Sequence, residues 1–149
     1  MRAAFEGVTV ADIMTPADRV QTVTEDTSVT DLVETMFDER HTGYPVERGG
    51  DIVGIVTLED ARAVRDVERD AYTVGDVMST DVHTVTSNAD VMTALTEMQE
   101  HGIGRLVVVD DDFAGLLTRS DVMTALSIIK SSGRFERPSS DTDGWQSQP

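Results

Sequence analysis

Apolar residues along the chain follow two different rhythms. Val29, Leu32, Val33, Met36 and Phe37 are spaced i, i+3, i+4, i+7 and i+8, which draws one apolar stripe and predicts a helix. Val91, Ala94, Leu95 and Met98 repeat that spacing and predict a second helix, with Ser87 and Asp90 as a capping box at its start. Shorter runs rich in β-branched residues lie at 20–23, 44–46 and 52–56, and again at 82–85, 106–109 and 114–117. They lack polar alternation, so they predict strands buried on both faces. Turns join the strand pairs through Glu47-Arg48-Gly49-Gly50-Asp51 and through Asp110-Asp111-Asp112. Closing helices are predicted to begin at Thr57 and Thr118.

The same order of elements is written twice. GIVTLED at 54–60 matches GLLTRSD at 115–121, an offset of 61. Thr9-Val10-Ala11-Asp12-Ile13-Met14-Thr15 matches Thr73-Val74-Gly75-Asp76-Val77-Met78-Ser79 at an offset of 64. Gln21-Thr22-Val23-Thr24 matches His83-Thr84-Val85-Thr86 at 62. The chain is therefore expected to be an α/β protein of two β-α-β-β-α units, residues 8–68 and 72–130. Units of about 60 residues are too small to cover such strands alone, so they are expected to pack as a pseudo-twofold pair. Gly133 is expected to end the last helix, and the polar stretch 134–149 to be a disordered tail. Trp145 in that tail is either idle or a docking anchor.

With 39% hydrophobic residues, 149 residues can bury a real interior. The 28 acidic residues outnumber 12 basic ones, Lys130 is the only lysine, and the formal net charge is −16. Such a field repels phosphate backbones and disfavours a nucleic-acid partner. No apolar run approaches the ~20 residues of a bilayer span, and no secretory signal opens the chain, so a soluble cytoplasmic protein is expected. The absence of cysteine excludes disulfides and thiolate chemistry. Excess carboxylate is either a solubility coat or an adaptation to a salt-saturated cytoplasm, where the composition resembles that of halophilic archaeal proteins. At molar salt the Debye length falls to about 3 Å and self-repulsion is screened. The unfolding temperature is therefore expected to rise from low to molar KCl in a thermal melt; equal stability at both would remove the halophile reading.

Threonine followed three residues later by aspartate at a strand-to-helix junction is a capping box. Thr57 can accept from the Asp60 N–H while Asp60 reaches back to the Thr57 N–H, and Thr118 and Asp121 can do the same. The repeated frame also suggests a ligand. Gly54 and Gly115 remove a side chain where a flat group could approach, and helix N-termini offer free N–H donors. A carboxylate in such a place can take both hydroxyls of a ribose. Capping and binding can coexist in Asp60 and Asp121.

Units that open with T-V-x-D-hydrophobic-M and close with G-hydrophobic-hydrophobic-T-x-x-D resemble a tandem pair of CBS domains, a Bateman module. The match covers residues 8 to about 130 and occurs twice in register. The resemblance implies two clefts between the domains that bind adenosyl ligands such as AMP, ADP, ATP, NAD or S-adenosylmethionine. It assigns Leu116, Thr118 and Asp121 to one cleft, lined from the first unit by Thr9, Met14 and Thr42. The stretch Arg105-Leu106-Val107-Val108-Val109-Asp110 is similar to one in the γ subunit of AMP-activated protein kinase whose arginine contacts phosphate. Arg105 is thus either a phosphate ligand or a solvated strand-edge charge. The other cleft would use Ile55, Thr57 and Asp60 with Thr73, Met78 and Ile103, and Tyr44 stands where Arg105 stands. Tyr44 would stack on a base or cap the strand edge. Without a guanidinium this cleft is expected to bind phosphate less well than the Asp121 cleft.

The remaining residues suggest structure. His41, His83 and His101 lie in different elements without metal-ligand spacing, so packing or solvated roles and no metal site are expected. Asp110-Asp111-Asp112 is expected to be a charged turn rather than a magnesium site. Arg62, Arg65 and Arg69 are spaced as a stripe on the helix after Asp60, interspersed with acids as in a salt-bridged surface. Met14 and Met78 pack either on adenine or in core gaps. With no nucleophile–base pair, catalysis is not expected. The function implied is a regulatory, energy-sensing module needing no cofactor but an adenosyl effector. Its expected partners are a second copy, as a homodimer, and a separate enzyme or transporter. The alternatives are a constitutive dimerisation scaffold whose Thr/Asp frames only cap helices, and a small nucleotide-processing enzyme.

Overall fold

A computed structural model describes residues 6–132 of the chain. In chain order the elements are α1 (Val10–Ile13), β1 (Thr15–Pro16), α2 (Val29–Glu39), β2 (Gly43–Arg48), β3 (Asp51–Thr57) and α3 (Leu58–Arg62), followed by α4 (Val74–Val77), β4 (Thr84–Val85), α5 (Val91–His101), β5 (Arg105–Val109), β6 (Phe113–Thr118) and α6 (Arg119–Ser132). Strands β1, β6, β5 and β4 form one sheet in that order, and β2 pairs with β3 in the other. Single bridges, Val23 parallel to Val46 and Ile55 antiparallel to Ser79, extend the smaller sheet into a copy of the larger one. The expected α/β pair of repeats is what the chain forms.

The repeats are interlocked rather than set side by side. The opening segment of each unit packs into the other unit's core. Val8 and Val10 are buried with Val91, Met98, Leu106, Leu117 and Val122, whereas Val74 is buried with Leu32, Tyr44, Val46 and Val56. Backbone bonds fasten the exchange: Val10 N–H donates to the Ala89 carbonyl at 2.9 Å and Val91 N–H to that of Val8 at 3.1 Å. Their counterparts are Val74 to Thr27 at 2.8 Å and Val29 to Tyr72 at 2.9 Å. The opening T-V-x-D motifs cap the short helices that enter. Asp12 accepts from the Thr9 N–H and Asp76 from the Thr73 N–H, each at 2.9 Å.

This exchange gives the repeated glycines a different reason from the expected approach of a flat ligand. A Cβ on Gly115 would fall against the carbonyl oxygen of Thr15 and 2.9 Å from the Met14 sulfur. One on Gly54 would lie 2.6 Å from the Met78 sulfur and 2.9 Å from the Ser79 carbonyl oxygen. The bare backbone admits the exchanged arm, not a base.

Other departures are local. The strand predicted at 20–23 shrinks to the Val23 bridge, because residues 17–19 wind into a 3₁₀ turn. The α5 cap is Asp90, which accepts from Met92 N–H at 3.1 Å. Ser87 is unavailable for that role because its N–H and hydroxyl both donate to Asp110, at 2.9 and 2.7 Å. Those two bonds hold the Asp110 carboxyl below the usual range and tie the acidic turn to its own unit. Arg62, Arg65 and Arg69 do not share one helix, since α3 ends at Arg62 and residues 66–71 form a 3₁₀ turn. Each still pairs with an acid, Arg62 with Glu59, Arg65 with Glu68 and Arg69 with Asp66. Gly133, the stretch 134–149 and Trp145 lie outside the described residues.

Candidate functional site

The two closing frames differ where they were expected to be alike. At Thr57 the capping box is complete: Asp60 Oδ2 accepts from Thr57 N–H at 2.8 Å and from its hydroxyl at 3.1 Å. Asp60 N–H in turn donates to Thr57 Oγ1 at 3.4 Å. At Thr118 only half of it forms. Asp121 N–H donates to Thr118 Oγ1 at 3.0 Å, and no described residue donates to the Asp121 carboxylate. That carboxylate stands at the head of α6, where unpaired N–H groups favour negative charge.

Asp121 opens on a cleft of about 350 Å³ between the units. Leu116, Thr118 and Ser120 line it from the second unit, and Thr15, Val20 and Gln21 from the first. The loop from α2 into β2 supplies Arg40, His41, Thr42, Gly43 and Tyr44, and Arg19 and Arg105 complete the wall. The volume lies in the range of small-molecule sites.

Arg105 is half-buried at the start of β5, and loss of solvent lowers its pKa from the usual guanidinium value. Its Nη2 donates to Thr42 Oγ1 at 2.9 Å, and it pairs with no carboxylate of the described residues. Glycine at 43 makes room for it: a Cβ there would sit 2.6 Å from Arg105 Nε. Arg40 occupies the left-handed C-cap of α2 with φ 60°, the place Gly102 fills at φ 64° after α5. A non-glycine residue there is uncommon and marks a position to examine for function. Its guanidinium donates to the Phe37 carbonyl and lies 4.4 Å from the Phe37 ring centroid. Arg19 and Arg40, like Arg105, have no ion-pair partner among the described residues, whereas Arg48, Arg62, Arg65 and Arg69 do. In a chain of net charge −16, three guanidiniums without an ion-pair partner among the described residues share one cleft.

Of the residues assigned to this cleft from the sequence, Leu116, Thr118, Asp121, Thr42 and Arg105 come together. Thr9 and Met14 do not line it. Thr9 is engaged in capping α1, and Met14 packs against Gly115 and the core. Thr15 is what the opening arm contributes. Tyr44 borders this cleft rather than the other one. It is 1% exposed, with its hydroxyl donating to Glu39 Oε1 at 2.9 Å, so its ring has no open face for a base. Burial, then the Glu39 carboxylate, raises its phenol pKa.

The residues assigned to the second cleft are more dispersed. Thr57 borders a pocket of about 290 Å³ with Thr42, Leu58, Glu59, Arg62 and Arg105, so Arg105 faces both cavities. Ile55, Asp60, Thr73, Met78 and Ile103 do not border that pocket. Ile55 exchanges backbone bonds with Ser79, Thr73 and Asp60 take part in capping, and Met78 and Ile103 pack against the two cores. Arg19, Arg40, Gln21 and Ser120 were missed by sequence reasoning. The one available signal was Arg40, a bulky residue at a position where the sister repeat writes glycine.

Two interlocked α/β units enclosing a basic cleft define a tandem-repeat module. The CBS domain pattern matches residues 10–66 and 74–128, so the chain belongs to the CBS-domain family. It is similar to the CBS domain of the bacterial CNNM/CorC family Mg2+ transporter in complex with ATP, 26% identical with a TM-score of 0.78 over 85% of this chain and 92% of that one. It is also similar to CBSX2 in complex with AMP, 32% identical with a TM-score of 0.73 over 83% of this chain and 99% of that one. Uncharacterized protein MJ1232 of Methanocaldococcus jannaschii is 32% identical over 96 residues, 62% of this chain and 31% of that protein. The chain spans less than half the length of the curated relatives it matches first. No helix among the described residues is long and apolar enough to cross a membrane.

Proposed function

We propose that this chain is a regulatory module that binds an adenosine phosphate in the Asp121 cleft and passes the bound state to a partner. The supporting observation is the pairing, across one cavity, of a carboxylate and a half-buried guanidinium that have, among the described residues, neither a donor for the one nor a carboxylate for the other. Asp121 accepts from the ribose hydroxyls, Thr118 helps place the sugar, and Val20 and Leu116 give the base an apolar wall. Arg105, with Arg19 and Arg40, holds the phosphates through charge-assisted bonds. Three guanidiniums favour a phosphate-bearing ligand over the cationic sulfonium of S-adenosylmethionine. Solved structures of similar CBS domains carry ATP and AMP.

The cleft is walled by both units, so a ligand in it biases their relative geometry, and an effector acts only through such differential affinity. The partner is a second copy or an attached or separate enzyme or transporter. Ile128, 62% exposed on α6, gives a second copy an apolar contact, which light scattering of the purified chain tests. The module turns nothing over by itself; product analysis after incubation with ATP checks this.

A thermal-shift screen of AMP, ADP, ATP, NAD and S-adenosylmethionine in high KCl tests the reading. At about 100 times Kd the ligand is expected to add roughly 2.7 kcal/mol of stability. The finished capping box at Asp60 keeps a second reading open, in which both frames serve only helix starts and the module is a constitutive scaffold. No shift with any of the five compounds would favour it.

A further inference from the structure

Two of the three histidines meet on the second unit, away from the cleft. His83 precedes β4, and its carbonyl is held by the Val107 N–H at 3.0 Å through the parallel pairing of β4 with β5. Glu97 and His101 stand one turn apart on α5, at the i, i+4 spacing that puts both side chains on one face. The imidazoles of His83 and His101 lie with centroids 4.2 Å apart at 34°. His101 Nε2 is 3.2 Å from Glu97 Oε2, and ligand atoms of all three residues lie within 4.8 Å of one another. Their separation in sequence, which argued against a metal, is closed by the sheet.

We propose that His83, Glu97 and His101 form a binding site for a divalent transition-metal ion of the zinc class. Two imidazoles and one carboxylate are a recurring donor set for zinc. Imidazole nitrogen selects zinc, cobalt, nickel or copper over magnesium and calcium, which prefer all-oxygen sites. A tetrahedral ion with bonds of about 2.0–2.1 Å sets its donor atoms roughly 3.4 Å apart. Side-chain rotation supplies the small remaining approach, since the His101 and Glu97 side chains are 42% and 39% exposed. Asp81, with Oδ2 3.4 Å from His83 Nε2, offers a fourth oxygen, and water is the alternative.

As ion pairs the two rings would both be charged 4.2 Å apart and repel; as neutral rings they can donate singly to Asp81 and Glu97 or together hold one metal ion, which the titration below separates. The donor set is also peculiar to this unit: the positions 62 residues earlier are Gln21, Thr35 and Glu39. It is separate from the proposed nucleotide site, whose lining contains none of the three. Bound metal would tie the start of β4 to the end of α5.

The test uses the untagged full chain, stripped with chelator and titrated with Co2+ while visible d–d absorption is followed, then with Zn2+. The expected result is one Co2+ per chain with a tetrahedral-type band that Zn2+ abolishes and Mg2+ does not. His83→Ala and His101→Ala should each weaken Co2+ binding about tenfold or more, and Glu97→Gln should weaken it measurably. Circular-dichroism melts of the metal-free variants verify folding. Absence of the band at millimolar Co2+, or affinity unchanged in both histidine variants, overturns the proposal. Should either histidine variant fail to fold, unchanged affinity in the half-exposed, near-isosteric Glu97→Gln variant overturns it equally.

Discussion

Asp121→Asn is expected to weaken AMP or ATP binding by about 10- to 150-fold while leaving thermal stability nearly unchanged. The magnitude follows from a hydrogen bond to a charged group, about 1.5–3 kcal/mol, at 1.4 kcal/mol per factor of ten. The stability loss is confined to the charge at the helix head, about 0.3 kcal/mol at an accessible terminus, because the capping bond at that helix runs from the Asp121 N–H to Thr118 Oγ1, which asparagine keeps. Asp60→Asn should behave in the opposite way. Its carboxylate holds the Thr57 N–H and hydroxyl, so the loss is of order 1 kcal/mol of folding stability with little change in affinity. Calorimetric titration and thermal melts of both variants read the two quantities separately. Equal losses of affinity would overturn the ranking of the clefts.

Gly115→Ala is expected to destabilise the fold by at least about 2 kcal/mol in chemical denaturation, in the range of overpacked cores. The added methyl meets a main-chain carbonyl, that of Thr15, which cannot swing aside as a side-chain end would. It also meets the Met14 sulfur at 2.9 Å. Gly54→Ala meets the Met78 sulfur and the Ser79 carbonyl and should act in the same direction. Had these glycines served a ligand, alanine would reduce affinity and leave folding intact. A Gly115→Ala protein of unchanged stability and reduced affinity would restore that explanation.

The architecture was legible where it depended on local pattern. The apolar spacing from Val29 and from Val91 specified α2 and α5, and two β-branched runs around a turn specified each hairpin. The exchange of arms was not legible, because it is written in main-chain bonds such as Val10 to Ala89 that carry no side-chain signature. For the same reason Thr15 rather than Met14 reaches the cleft: a two-residue strand aligned on Leu116 and Gly115 fixes which side chain points inward. Asp121, Thr118 and Arg105 were legible because their motif or its resemblance names them. Arg19 and Arg40 enter from a 3₁₀ turn and a left-handed cap, conformations that residue type alone does not announce. The histidines met through the parallel β4–β5 pairing, again a long-range contact. Tyr44 was misplaced because alignment to Arg105 fixed its register but not the depth of its ring.

The reciprocal arms also bear on cooperativity. Half a molecule cut near residue 70 would own neither a finished interior nor a partner for its own first residues. Two such halves supplied together should re-form the whole, each lending its leading segment to the other. Each interior is closed only by the other unit's leading segment, so the two units are expected to unfold in a single cooperative step.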